Sequence, residues 1–278
     1  MMKPLFSIVI ANYNYGRFLE DAIVSVIEQD MGDKAELIIC DAGSTDNSID
    51  IIKKYSNRIT WWCSEKDGGQ SAAFNKGFAH AKGRFLTWLN ADDILVKGAL
   101  KAIEREIIRN PRCEWFVGSS VWCNESLKVV KCFCAHKFSF LRARWGTLSV
   151  SGPSSFFTSR LLNEVGGVDE SLHYVMDTDL WYKFYNKCNA KYCRTISNVW
   201  AFRQHEASKM SGADNYNTTY ALENRRKAIK ESKILKERYG LHSGLSRKIA
   251  CIISLSLVDY IISVFRNLKW RGCYAREI

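Results

Sequence analysis

Short apolar runs alternate with helical patterns along the first 110 residues. Phe6–Ala11 (FSIVIA), Ala35–Cys40, Ile59–Cys63 and the run ending at Leu89 have the length and β-branched or aromatic content of strands. Between them, Gly16–Gln29 places Phe18, Leu19, Ala22, Ile23, Val26 and Ile27 on one helical face, and helices are expected up to about Tyr55 and over Ser71–Ala81. A further helix is expected over Val96–Ile108. This strand–helix cadence predicts a parallel sheet with helices on both faces. After Asn110-Pro111 the rhythm changes. Glu114–Val121 and Leu127–Cys134 read as antiparallel strands, followed by a strand at Phe156–Thr158, helices at Arg160–Val165 and Asp177–Cys188, and a strand at Asn198–Arg203. A charged helix, Asn215–Tyr239, and an apolar one, Leu245–Leu268, close the chain. The expected organisation is a catalytic domain over residues 1–212, split near 110, with a helical tail over 213–278.

The polar residues that interrupt this pattern fall at strand ends: Asn12, Asp41, Glu65, Asp67, Asp92 and Asp93. Ligands of open α/β sheets bind at that carboxyl edge. The glycine fingerprint of dinucleotide folds is missing, so side chains rather than bare backbone would meet a ligand. RFLTWLNADD (Arg84–Asp93) ends a buried strand in two adjacent carboxylates, whose repulsion a hard divalent cation would relieve. The bland alternative is that Asp92 or Asp93 caps the following helix. Tyr13 could stack on a base or merely pack, and Asp41 could accept from a base or cap a turn.

Charge and cysteine usage narrow the picture further. Of the net charge of +11, about +9 lies beyond residue 224, where 13 Lys/Arg face 4 Asp/Glu. Basicity confined to the tail argues against a nucleic-acid groove and suits contact with anionic lipid. In Ile249–Phe265 only Ser254, Ser256, Asp259 and Ser263 are polar, and Ser256, Asp259, Ser263 and Asn267 share one stripe of a helix. The stripe leaves a broad apolar face, as in a helix lying in a membrane interface; a core or dimer helix is the alternative. The ten cysteines form no C-x-x-C pair, so reduced thiols are expected rather than zinc or disulfides. The N-terminal apolar run is too short for a signal peptide, which points to a cytosolic protein or one on the cytosolic face of a membrane.

Four stretches together resemble family 2 inverting glycosyltransferases of the GT-A fold: SIVIANYN (Ser7–Asn14), CDAGSTDNS (Cys40–Ser48), LNADD (Leu89–Asp93) and MDTDLW (Met176–Trp181). DGGQSAAFNKG (Asp67–Gly77) is similar to members that build bacterial surface polysaccharides. The resemblance implies a Rossmann-like, mostly parallel mixed sheet and transfer of a sugar from a nucleoside diphosphate, UDP favoured, to a hydroxyl acceptor such as a lipid-linked glycan. It implies nucleotide binding by Ala11, Asn12, Tyr13, Asp41, Gln70, Asn90 and Asp92, with Asp67 near the donor sugar. Mn²⁺ or Mg²⁺ would be held by Asp93, Asp92 and His205. Asn90 departs from the Asp common in the family, which leaves open whether Asp92 or Asp93 is the direct ligand. Asp177 matches the general base, with Asp179 as the competing carboxylate. Arg203 and Lys209, flanking His205, are candidates for phosphate oxygens. A sugar-nucleotide binder without catalysis and a basic membrane-peripheral scaffold are the readings from other classes.

Overall fold

The computed structural model of the protein describes residues 3–146, 148, 150–206, 208–209, 219–241 and 257–278. Four parallel strands, β1 (Phe6–Asn12), β2 (Ala35–Asp41), β3 (Trp61–Ser64) and β4 (Phe85–Asn90), run in the order β3-β2-β1-β4. They are linked by α1 (Gly16–Ile27), α2 (Ser48–Lys54) and α3 (Gln70–His80). A short β5 (Ile94–Leu95) precedes α4 (Ala99–Arg109). The sheet continues through β8 (Ser155–Thr158), β6 (Trp115–Cys123) and β9 (Tyr192–Arg203) back to β5, with β7 (Val129–Phe133) on β6. In this second half β4–β8, β8–β6, β6–β7 and β9–β5 are antiparallel, and β6–β9 is parallel. The remaining helices are α5 (Phe140–Arg144), α6 (Ser159–Val165), α7 (Met176–Cys188), α8 (Thr219–Tyr239) and α9 (Leu257–Trp270).

Period-two alternation sends successive strand residues to opposite faces. Phe6, Ile8, Ile10, Leu37, Ile39, Phe85 and Leu89 join one core with the apolar stripes of α1, α2 and α4. Val9, Ile38, Leu86, Trp88, Trp115 and Phe157 join another with α3, α6 and α7. At its centre Trp181 stacks on both Trp88 and Trp115, with ring centroids 5.7 and 5.2 Å apart. That cluster fixes α7 on the sheet, since buried aromatic pairs add to the burial of their own area.

Several element boundaries shift from those expected, two of them near the site. The helix after Asp93 starts three residues later than expected, because β5 intervenes and Gly98, in the left-handed region at φ 74°, occupies its N-cap position. Neither Asp92 nor Asp93 is therefore a cap. The last strand starts at Tyr192 rather than Asn198.

The described parts of the tail pack on the domain. Arg238 of α8 reaches Asp169 and Asp179, and Glu231 takes the backbone N–H groups of His173, Tyr174 and Val175. α9 lies on β7, and Ala275 is buried beside Ile94, Val121 and Val129 while its N–H donates to the Leu127 carbonyl. The start of the expected helix at Asn215 and the first part of Leu245–Leu268 lie outside the described residues.

Candidate active site

Strand register brings the first group of polar side chains into one row. β1 pairs with β2 so that Asn12 lies opposite Asp41, and β2 pairs with β3 so that Asp41 lies opposite Ser64. Asp41 accepts from Asn12 Nδ2 at 2.7 Å, from the hydroxyls of Ser44 and Ser64 at 2.5 and 2.6 Å, and from the backbone N–H of Gly43 and Ser44. Burial would raise this carboxyl, but those hydrogen bonds outweigh it and hold it below the ordinary value. With its oxygens taken by its own chain, Asp41 shapes the 42–45 turn. Tyr13, 57% exposed, and the Ala42-Gly43 backbone then line the cleft above it, beside Ala11 and Asn12.

The Asn90–Asp93 segment divides its labour. Asp93 is fully buried and takes donors on both oxygens, Asn90 Nδ2 at 2.8 Å and the Arg203 N–H at 2.9 Å. Burial first, and the neighbouring Asp92 second, push its carboxyl well above the ordinary carboxylate range. It does not line the cleft, whereas Asp92 does. Asp92 lies 3.1 Å from His205 Nε2, and the imidazole is wedged against Phe18 and Tyr15. The antiparallel pairing of β5 with β9 delivers this contact, carrying residues 203–205 back beside the aspartates. The departure at Asn90 has a physical reason here. Its amide donates to Asp93 and its oxygen accepts from Gln70 Nε2 at 2.8 Å; an aspartate would offer Asp93 only a second repelling charge.

The opposite wall comes from α7. Asp177 faces the cleft, whereas Asp179 is fully buried and held by Lys183 at 2.9 Å, Arg238 at 2.6 Å and the Tyr239 hydroxyl at 2.7 Å. Burial raises the Asp177 carboxyl, opposed by hydrogen bonds from Thr178 and from the Gly152 N–H. Gly152 is required where it stands: a Cβ there would sit 2.5 Å from the Trp88 ring. Asp67 accepts from the Gly69 N–H at 2.7 Å and shapes the turn into α3, where Gly69 adopts φ 106°. Lys209 enters the cleft, donating to Gln70 Oε1 at 3.1 Å and to the His173 carbonyl. Burial lowers its ammonium, against the pull of Glu231 and Asp177. Arg203 does not join it: its guanidinium pairs with Asp21 at 2.7 Å over the Phe18 ring, so the expectation of a phosphate contact there is withdrawn.

Asn12, Tyr13, Asp67, Gln70, Asn90, Asp92, Asp177 and Lys209 line one cleft of about 1120 Å³, the size of a small-molecule site. Sequence reasoning missed Trp122, Trp200 and Phe202 on its sheet side and Leu148, Val150, Ser232, Leu235 and Lys236 on its α8 side. Strand alternation could have marked the aromatics; nothing local marks α8, whose sequence reads as a solvated charged helix. Among the described residues no three His, Cys, Asp or Glu side chains form a ready metal cage. Asp92 lines the cleft, whereas His205 is 2% exposed, does not line it, and meets it only through the contact of its Nε2 with Asp92. A carboxylate so backed fits a divalent cation arriving with a diphosphate, whose oxygens and water would complete the shell.

The sheet, parallel in its first half and mixed in its second with a polar cleft at the strand ends, has the GT-A fold. Residues 7–155, more than half of the chain, match the family described as Glycosyl transferase family 2, and the chain belongs to that family. An uncharacterized glycosyltransferase of Rickettsia typhi is 31% identical over 197 residues, 66% of this chain and 59% of that protein. One from Nostoc is 43% identical over 91 residues, 32% of this chain and 28% of its own length. The chain thus spans about three-fifths or less of these relatives. Among solved structures, S. aureus TarS 1–349 in complex with UDP-GlcNAc matches with a TM-score of 0.61 at 17% identity, covering 97% of this chain and 80% of that one. The mannosyltransferase PcManGT from Pyrobaculum calidifontis, in complex with GDP-Man and Mn²⁺, matches at 0.57 and 15% identity, covering 96% and 88%. Identities this low speak for the fold alone.

Proposed function

We propose that the chain transfers a sugar from a nucleoside diphosphate to a hydroxyl acceptor with inversion at the anomeric carbon. The observation that carries this reading is the pair of walls: Asp92 and Asn90 at the strand ends, and Asp177 on α7 with its neighbour Asp179 locked away. In the reaction the acceptor oxygen attacks the anomeric carbon and its proton passes to Asp177. The bond from that carbon to the phosphate oxygen breaks, and the nucleoside diphosphate leaves with the electron pair. A single displacement of this kind inverts the centre, and a carboxylate raised by burial is the stronger base for it. Asp92, with His205 beside it, would hold Mn²⁺ or Mg²⁺, which supplies charge neutralisation for the leaving diphosphate. Lys209, reaching Gln70 across the floor, offers a second positive charge to the same oxygens.

UDP is the favoured nucleotide: structural neighbours are described with UDP and UDP-GlcNAc, against one with GDP-Man. Tyr13 would stack on the base, while the turn organised by Asp41 presents its backbone to the base and ribose. Asp67, on the cleft wall, would contact the donor sugar. The reading extends to bacterial surface polysaccharide or glycolipid synthesis, in which the acceptor is carried on a lipid at the inner face of the membrane. Incubation with UDP-sugars and Mn²⁺, followed for UDP release, tests the reaction. Turnover of a donor that Asp177→Asn abolishes supports it; donor binding without release under any acceptor condition would make the chain a binder only.

A further inference from the structure

α9 turns its polar side chains inward and its apolar ones outward. Asp259 is buried, 2.6 Å from Arg194 and 3.6 Å from His136. Asn267 exchanges both halves of its amide with the Cys132 backbone on β7, at 2.9 and 3.1 Å. Arg266 folds under the helix to the Ile196 carbonyl and the Asn198 side chain. The stripe that a helix in water would show to solvent is thus the glue to the domain. On the other side Tyr260, Ile261, Val264, Phe265 and Leu268 fall on one helical face and all are exposed, Phe265 by 67% and Leu268 by 77%.

Water alone does not favour such a face, and an aligned set of large apolar side chains marks an interaction surface. Its charge says what kind. Asp259 is the one acidic residue of α9, and it is withdrawn into an ion pair. Lys269 and Arg271 stand exposed at the C-terminal end of the face. The helix has 14 residues, and no described helix is long and apolar enough to cross a bilayer. We propose that the outward face of α9 is a lipid-docking surface that lays the protein on an anionic membrane. The five apolar side chains would enter the headgroup boundary, with Lys269 and Arg271 on the phosphates. The proposal deepens the reading of a membrane-borne acceptor, yet stands on α9 alone and is tested apart from the reaction.

Co-sedimentation of the full chain with vesicles decides it, using phosphatidylcholine alone and phosphatidylcholine with one-third phosphatidylglycerol. The expected result is sedimentation with the anionic vesicles, at least tenfold weaker in Phe265→Ser/Leu268→Ser. Added salt should weaken it, because the cations act through a screened field. Lys269→Glu/Arg271→Glu carries the same test by charge alone, should the apolar variant fail to fold. Ile108→Ser, an exposed apolar site on α4, should leave binding unchanged. The proposal falls if the wild type stays in the supernatant, if it binds neutral vesicles equally, or if neither double variant lowers binding. It also falls if centrifugation shows a dimer that Phe265→Ser/Leu268→Ser separates while vesicles bind neither form, for the face would then serve a second copy. Calorimetric UDP affinity on the same samples reports on the transferase reading independently.

Discussion

Asp177 and Asp179 stand two positions apart, so their side chains leave α7 about 200° apart around its axis. One can face the cleft only if the other faces the protein. Arg238, Lys183 and Tyr239 settle which, by closing on Asp179. Asp177→Asn should therefore lower turnover by about two orders of magnitude or more while leaving UDP affinity nearly unchanged. Steady-state kinetics beside calorimetry measures both, and full turnover in Asp177→Asn would name the wrong base. The pH profile carries the same assignment. A base must be ionised, and the Asp177 carboxyl lies above its ordinary 3.8. The rate should fall as pH drops through that raised value, giving an acid limb displaced upward from 3.8, and the variant should lack that limb. At the other wall, Asp92→Ala should remove the metal dependence of UDP binding. Equal UDP affinity in EDTA and in Mn²⁺ for the wild type would eliminate the metal from the mechanism.

In the first turn of α7 the Thr178 N–H donates to Asp177 Oδ1, and the N-cap residue Val175 supplies no side-chain acceptor. Glu231, from a helix more than 50 residues later, approaches that entry and accepts from His173 at 3.1 Å, Tyr174 at 2.7 Å and Val175 at 3.3 Å. α8 thus pins the segment that delivers Asp177. Glu231→Ala should cost about 1–3 kcal/mol of stability, the scale of leaving such donors unmet. It should also speed amide exchange at residues 173–175 and lower turnover with little effect on nucleotide affinity. Unchanged exchange there would show that α8 merely covers the site.

At the scale of the molecule, the described parts of the tail pack on the domain. A chain ended after Gly240 would lose the Asp259 partner of Arg194, the Asn267 contact with Cys132 and the buried Ala275. Arg194, 13% exposed at its side chain beneath α9, would lose both that carboxylate and its cover. The truncated chain should therefore melt well below the full one, as seen by circular dichroism. An equal melting temperature would restore the tail's independence.

The alternation of strands and helices was legible along residues 6–110 because period-two and period-3.6 patterns are local. Part of the cleft's polar lining was legible too, since polar residues at strand ends break an apolar pattern in the sequence itself. Asn12, Asn90 and Asp92 announce themselves that way, and Asp177 through its motif. The sequence alone did not decide which carboxylate of each close pair meets the cleft. That follows from partners far along the chain: Arg203 for Asp93, Arg238 for Asp179. Nor did it decide the direction of α9. An amphipathic helix read in isolation puts its polar stripe toward water. Here Arg194, His136 and the Cys132 backbone await that stripe, and a buried ion pair with matched amide bonds turns it inward. Periodicity determines that a helix has two faces; only what the rest of the chain brings alongside determines which face is inside.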